Sequence, residues 1–170
     1  MQEHIRSRSV VVMGVSGSGK STIAQLLAER LGWRFLEGDA FHSAANQTKM
    51  RAGIALTDSD RLAWLALLGQ ALGRYRDTGV VLSCSALKRV YRDQLRTCVP
   101  DLRFVWLDVG RTVAAQRVTA RGQDHFFPPA LIDSQFRTLE PPENEALLLR
   151  IDGQTPIAGI IDRASAWIQE

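Results

Sequence analysis

SVVVMGVSGSGKSTIAQLLAERL, Ser9 to Leu31, is the stretch whose reading decides the fold. Ser9 to Met13 is a short, almost unbroken apolar run, the pattern of a strand covered on both faces. From Ser21 to Leu31 the apolar residues Ile23, Leu26, Leu27 and Leu31 recur at helical spacing. Between them, Gly14-Val15-Ser16-Gly17-Ser18-Gly19-Lys20-Ser21 fits GxxxxGK[ST] at every fixed position. The glycines let the backbone curl round an anion with its N–H groups inward, and the helix that follows aims its positive end at the same point. Gly14, Ser16, Gly17, Ser18, Gly19, Lys20, Ser21 and Thr22 are therefore the expected ATP-binding set, with Lys20 on the β/γ-phosphate oxygens and the Ser21 hydroxyl on Mg²⁺. A GTPase is disfavoured: no NKxD follows, and the third strand ends in Ser83-Cys84-Ser85 with no DxxG.

Outward from this unit, strands and helices alternate. Arg34 to Leu36 reads as a second strand, and Ser43 to Thr57 as a polar loop of small residues. Thr57 and Asp60 form a capping-box pair that opens a long helix with Leu62, Leu65, Leu68, Leu72 and Tyr75 on one face, stopped at Thr78-Gly79. Gly79 to Ser83, Leu102 to Leu107 and Ala146 to Ile151 read as strands; Lys88 to Thr97, Thr112 to Arg121, Ala130 to Thr138 and Pro156 to Gln169 read as helices. Strands separated by helices imply parallel pairing through crossovers, hence an α/β P-loop NTPase fold with a five-stranded parallel sheet flanked by helices. The chain is expected to form one domain over residues 1–170, with a mobile lid at about 122–129, where Gly122, Pro128 and Pro129 break the pattern.

The segment FLEGDAFH, Phe35 to His42, places Glu37, Asp39 and His42 just beyond the second strand. In open parallel sheets this end of the strands faces the ligand crevice. Phosphoryl transfer to a hydroxyl needs a carboxylate to orient the acceptor and take its proton, and an acid to hold the metal's water shell. The acid-x-acid pair suits those two tasks.

The stretches MGVSGSGKST, EGDAFH, NQTKMRAGIALTDSDRLAWL, CSALKRVYRDQLR, ARGQDHFF and SQFRTLEPP, running from Met13 to Pro142, resemble the gluconate kinase family of small P-loop kinases, relatives of shikimate and adenylate kinases. The resemblance implies an ATP- and Mg²⁺-dependent kinase that phosphorylates D-gluconate at its C6 hydroxyl, working as a homodimer. It implies Asp39 as the catalytic contact to the acceptor hydroxyl and Glu37 as a partner of Mg²⁺ through water. His42, Lys49, Arg51 and Arg61 are then candidates for the sugar acid, since a guanidinium holds a carboxylate bidentately. Lys88 and Arg92, four apart on a helix, are expected on one face near the crevice, where the resemblance implies that they help hold substrate or phosphate. Arg117 and Arg121, at the same spacing before the lid, are expected on the nucleotide, and His125 with Phe126-Phe127 belongs to the lid itself. The chain departs from the family pattern at Ala55 and Ala63, where prolines are common, and at Arg137, where an acid is common; the last bears on the choice among sugar acids. A shikimate- or nucleotide-type kinase, and a non-catalytic ATP sensor, remain as alternatives.

Composition sets outer limits. The 170 residues carry a net charge of +3 and 45% hydrophobic residues, ordinary for a globular protein. The basicity comes from arginines spread along the chain, without the stripe interleaved with aromatics that marks nucleic-acid binding. Cys84 and Cys98 form no CxxC and read as free thiols of a reduced compartment. The N-terminus carries no signal-like apolar core, and no window approaches the ~18 apolar residues of a membrane span. A cytoplasmic enzyme with small-molecule partners, and neither nucleic acid nor membrane among them, is expected.

Overall fold

The computed structural model describes residues 7–122 and 131–170. Five strands, β1 (Ser9–Met13), β2 (Arg34–Glu37), β3 (Val80–Ser83), β4 (Arg103–Asp108) and β5 (Leu148–Asp152), form one parallel sheet in the order β2-β3-β1-β4-β5. The helices are α1 (Lys20–Leu31), α2 (Ala44–Arg51), α3 (Asp58–Tyr75), α4 (Arg89–Cys98), α5 (Arg111–Ala120), α6 (Leu131–Thr138) and α7 (Ile157–Gln169). The expected α/β architecture is the observed one.

Side chains of a strand alternate between faces, and the sheet sorts them accordingly. Val11, Met13, Val80, Leu82, Phe104 and Trp106 face α3 and α4, where they meet Trp64, Leu65, Leu68, Leu72, Tyr91 and Leu95. Val10, Val12, Val81, Val105 and Leu107 face α1 and α7, against Ile23, Leu27, Ile160 and Ile168. All five residues of β1 are buried, as its central position requires. Each fully buried Val or Leu contributes roughly 1.5–3 kcal/mol relative to exposure, so the middle strand is anchored firmly and the loop that leaves it is held in place.

Two elements differ from expectation. The segment from Ser43 is a helix, α2, not a loop: the Ser43 hydroxyl accepts a hydrogen bond from the Asn46 N–H and caps it. On α3, the capping box of Thr57 and Asp60 is present, but Leu62 points outward and is 58% exposed. Trp64 takes the buried place in that turn, where its indole N–H donates to the Gly38 carbonyl at 2.9 Å.

Two glycines bring the walls of the site together. Gly17 has φ 82°, and a Cβ there would lie 2.5 Å from the Ala114 carbonyl oxygen of α5. At Gly38 a Cβ would lie 2.2 Å from the Ser83 carbonyl oxygen, so only glycine lets the chain turn off β2 this close to the end of β3.

Candidate active site

The phosphate loop connects β1 to α1. Its turn is closed by the Ser18 N–H donating to the Val15 carbonyl at 3.1 Å, and Gly19, in the left-handed conformation, starts the helix with no side-chain cap. The helix's first N–H groups thus lack a side-chain acceptor, which is the arrangement that receives phosphate oxygens.

Strand pairing sets the next residues. Glu37 is opposite Ser83 across β2 and β3, and Ser83 is opposite Val12 of β1. The Ser83 hydroxyl donates to Glu37 Oε1 at 2.6 Å and lies 3.3 Å from the Ser21 hydroxyl. Glu37 is thereby tied to the Walker serine through Ser83, a residue outside every motif. No linear motif could have identified it, because the link exists only in the sheet's register.

Beyond Gly38, Asp39 sits in a single 3₁₀ turn, Gly38–Phe41, with its side chain half exposed. It lines one crevice with Ser16, Lys20, Ser21, His42, Arg61, Trp64, Ser85, Arg121 and Gln135, a space of about 720 Å³ including its open mouth. Met50, Ala55, Leu56 and Leu131 supply an apolar wall. His42 is buried, stacked on Trp64 with centroids 4.1 Å apart and planes 15° from parallel, and its Nε2 is 4.0 Å from Asp39 Oδ1. Burial, then the nearby Arg61 charge, lowers the His42 pKa to about 4, so it is neutral at pH 7.

That shift has a sign in stability. The unfolded chain binds a proton on His42 below about 6.5 while the folded chain resists until about 4, so this contribution is fully present above pH 6.5 and is lost as pH falls toward 4. His42→Gln is expected to flatten the pH dependence of the urea midpoint between pH 6.5 and 4; an unchanged slope would assign it to other groups.

Trp64 fixes both neighbours. Trp64→Phe keeps a ring against His42 but leaves the Gly38 carbonyl without its donor, which costs roughly 1–3 kcal/mol where the group stays dry. A urea midpoint unchanged by the substitution would mean that water replaces the indole.

A second crevice adjoins the first, on the other side of the phosphate loop. Ser18, Gly19, Thr22, Arg117, Arg121, Gly153, Thr155, Ile157 and Ile160 line it. Arg117 donates to the Gly17 and Ser18 carbonyls at 3.3 Å each and to the Gly153 carbonyl at 3.0 Å, joining the phosphate loop to the turn after β5. Arg121 lines both crevices. Gly153 and Thr155, distant in sequence from every motif, join the site only through this turn.

The remaining predicted cations divide sharply. Arg61 lines the first crevice, held by hydrogen bonds from its Nη1 to the Leu56 carbonyl at 2.9 Å and the Tyr91 hydroxyl at 3.1 Å. Lys49 instead contacts both oxygens of Asp60, at 3.0 and 2.9 Å, and Lys88 contacts Asp58 at 3.0 Å; neither lines the crevice, and Arg51 is exposed at the end of α2.

Arg92 is a correction. Lys88 precedes α4 as its N-cap, so the expected helical face does not exist, and Arg92 turns into the interior with no exposed surface. Its guanidinium contacts Glu145 at 2.6 Å and donates to the carbonyls of Ala86, Leu87 and Glu140. Burial pushes the Glu145 carboxyl up, but hydrogen bonds from Arg92 and Arg96 more than offset it and hold it below its ordinary value. His125, Phe126 and Phe127 lie outside the described residues, as does the expected lid from residue 123 onward.

The thiols are free, Cys84 buried with its pKa raised by burial to about 12 and Cys98 exposed. Among the described residues, no three His, Cys, Asp or Glu side chains gather as a metal cluster, and no helix is long and apolar enough to cross a membrane.

Residues 10–142 match the family model described as AAA domain. A gluconokinase of Gluconobacter oxydans is 46% identical over 161 residues, covering 91% of this chain and 90% of that protein. The chain belongs to the gluconokinase family. The thermosensitive gluconokinase of Escherichia coli is 42% identical over 159 residues, covering 91% of this chain and 84% of that relative. The crystal structure of a gluconokinase from Sinorhizobium meliloti superposes with a TM-score of 0.86 at 46% identity, over 95% of this chain and 91% of that one. The gluconokinase assignment spans the phosphate loop, the acid-x-acid turn and the turn after β5 alike.

Proposed function

We propose that this chain transfers the γ-phosphoryl group of ATP to the C6 hydroxyl of D-gluconate. The observation that carries the reading is one crevice in which the phosphate loop's Lys20 and Ser21 share a wall space with Asp39 and Arg61. ATP would lie along the loop with its phosphates at the start of α1 and its base in the crevice lined by Arg117, Gly153 and Thr155. Lys20 and Arg121 neutralise phosphoryl charge, and Asp39 orients the attacking hydroxyl and accepts its proton. His42, being neutral, exchanges hydrogen bonds with hydroxyls instead of pairing with the carboxylate. Of the candidates Lys49, Arg51, Arg61, Lys88 and Arg92, Arg61 alone lines the crevice and is assigned to the acid's carboxylate.

The hydroxyls of Ser21 and Ser83 and the Glu37 carboxylate are hard oxygen donors, a set that suits Mg²⁺ held chiefly by phosphates and water. When bound, the ion neutralises phosphate charge; Ser21 would hold it and Glu37 its water. A cytoplasmic homodimer belongs to the same reading and rests on the family resemblance; sedimentation velocity checks the dimer.

The test is ADP release from Mg-ATP with gluconate, idonate, 5-ketogluconate, shikimate, glucose and AMP as separate acceptors. Stimulation by gluconate is the expected result. Stimulation by shikimate or AMP alone would replace the acceptor, and ATP binding with no stimulated turnover would favour a sensor.

A further inference from the structure

The motif SQFRTLEPP has no role in the mechanism above, yet its glutamine reaches the phosphate loop. Gln135, on the second turn of α6, accepts a hydrogen bond from the Ser16 N–H at 2.6 Å across 119 residues of sequence. It lines the same crevice as Lys20, Ser21, Asp39 and Arg121. A side-chain amide has two ends of opposite character. The carbonyl oxygen of Gln135 is committed to the loop, and its NH₂ group makes no hydrogen bond among the described residues. What remains to be held by that NH₂ is an oxygen, and because the amide is seated on the phosphate loop through Ser16, the oxygens nearest that loop in the proposed reading are those of the group in transit.

α6 is fixed at its far end as well. The Glu140 N–H, just beyond the helix, donates to the Leu87 carbonyl at 2.8 Å, and Glu140 Oε2 accepts from the Arg89 N–H at 2.9 Å. Gln135 therefore projects from a segment tied both to the phosphate loop and to the loop that carries Ser85 into the crevice. A neutral donor fixed in this way needs little reorganisation as charge develops.

We propose that Gln135 is a catalytic residue of the transfer step, donating from its side-chain NH₂ to an oxygen of the transferring phosphoryl group. The inference rests on the gluconate kinase reading. In the step itself the bond from the γ-phosphorus to the β–γ bridging oxygen breaks, the bond to the acceptor oxygen forms, and the hydroxyl proton passes to Asp39. Gln135 gives up no proton; it lends a hydrogen bond to one of the equatorial oxygens over which the charge of the transferring group is spread.

Two substitutions in the full chain separate this role from mere anchoring of Ser16. Gln135→Met keeps the length of the side chain and removes both polar ends; Gln135→Lys restores a donor but not an acceptor for the Ser16 N–H. Gln135→Met is expected to lower kcat by about 10²–10³-fold, the effect of deleting one directed donor. Its ADP affinity should stay within about threefold of wild type, while affinity for ADP with aluminium fluoride and gluconate, which imitates the transfer state, falls with kcat. Gln135→Lys should recover about tenfold or more of the lost turnover. Normal turnover of Gln135→Met would overturn the proposal. So would a parallel loss of ADP affinity, or a Gln135→Lys protein no better than Gln135→Met, since both mean that the residue only holds the loop. A wild-type protein inert toward gluconate in the same assay would overturn the activity reading and this inference with it, and is recognised because the unaltered chain is then silent.

Discussion

Asp39→Asn is expected to lower kcat with gluconate by about 10²–10⁴-fold, the range over which a positioned general base contributes. The substitution keeps the shape of the side chain and its place after Gly38, so the 3₁₀ turn and the Trp64 hydrogen bond should survive. What it removes is the carboxylate proposed to receive the hydroxyl proton. ATP affinity should be unchanged, because the proposed reading puts the phosphates on the loop between β1 and α1 and not on the turn after β2. Steady-state kinetics with an ADP titration check both halves. Turnover near wild type would remove Asp39 from the chemistry, and a matched loss of nucleotide affinity would place it among the nucleotide contacts instead.

The second large effect is structural. Arg92→Met leaves the Glu145 carboxylate buried, with its side chain only 3% exposed, and deprives the Ala86 and Glu140 carbonyls of their donor and the Leu87 carbonyl of one of its two. Breaking a buried pair by removing one partner costs about 3–5 kcal/mol. Arg96 also reaches Glu145, at 2.9 Å, and moderates the loss without replacing the contacts to Ala86, Leu87 and Glu140. Removing the carboxylate too, as Arg92→Met with Glu145→Met, should recover part of the stability. Urea unfolding measures it. Had Arg92 been a ligand for the sugar acid, the substitution would raise KM with stability intact, and that outcome would refute the structural role.

The contrast between Arg61 and Arg92 explains how far the sequence could be read. Both lie in arginine-containing stretches of the same kind; the family resemblance puts Arg61 with the sugar acid, and the i, i+4 spacing from Lys88 puts Arg92 near the crevice. Whether a guanidinium faces the crevice or the interior depends on what the fold sets opposite it: the Leu56 carbonyl and Tyr91 hydroxyl for one, Glu145 for the other. Glu145 lies 53 residues from Arg92, so no local pattern connects them. The same limit hid Ser83, whose role follows from register, and Gln135, whose partner is on β1's loop. By contrast, the β1–loop–α1 unit is legible because every part of it is contiguous, and the place of Asp39 in the crevice because a turn directly follows its strand. The helix α2 was missed for a local reason. AANQTKMR has too few apolar residues to register a period, and Ser43's cap is visible only with its partner Asn46 in view.

The Trp64–His42 stack also makes the acceptor wall optically visible. The chain has four tryptophans, and among the described residues Trp64 is the one stacked on an imidazole. An indole reports electronically on the ring it touches, so the emission difference between wild type and Trp64→Phe isolates a fluorophore built into the crevice. Acceptor occupancy could then be followed in real time, with no label attached and no phosphoryl group transferred.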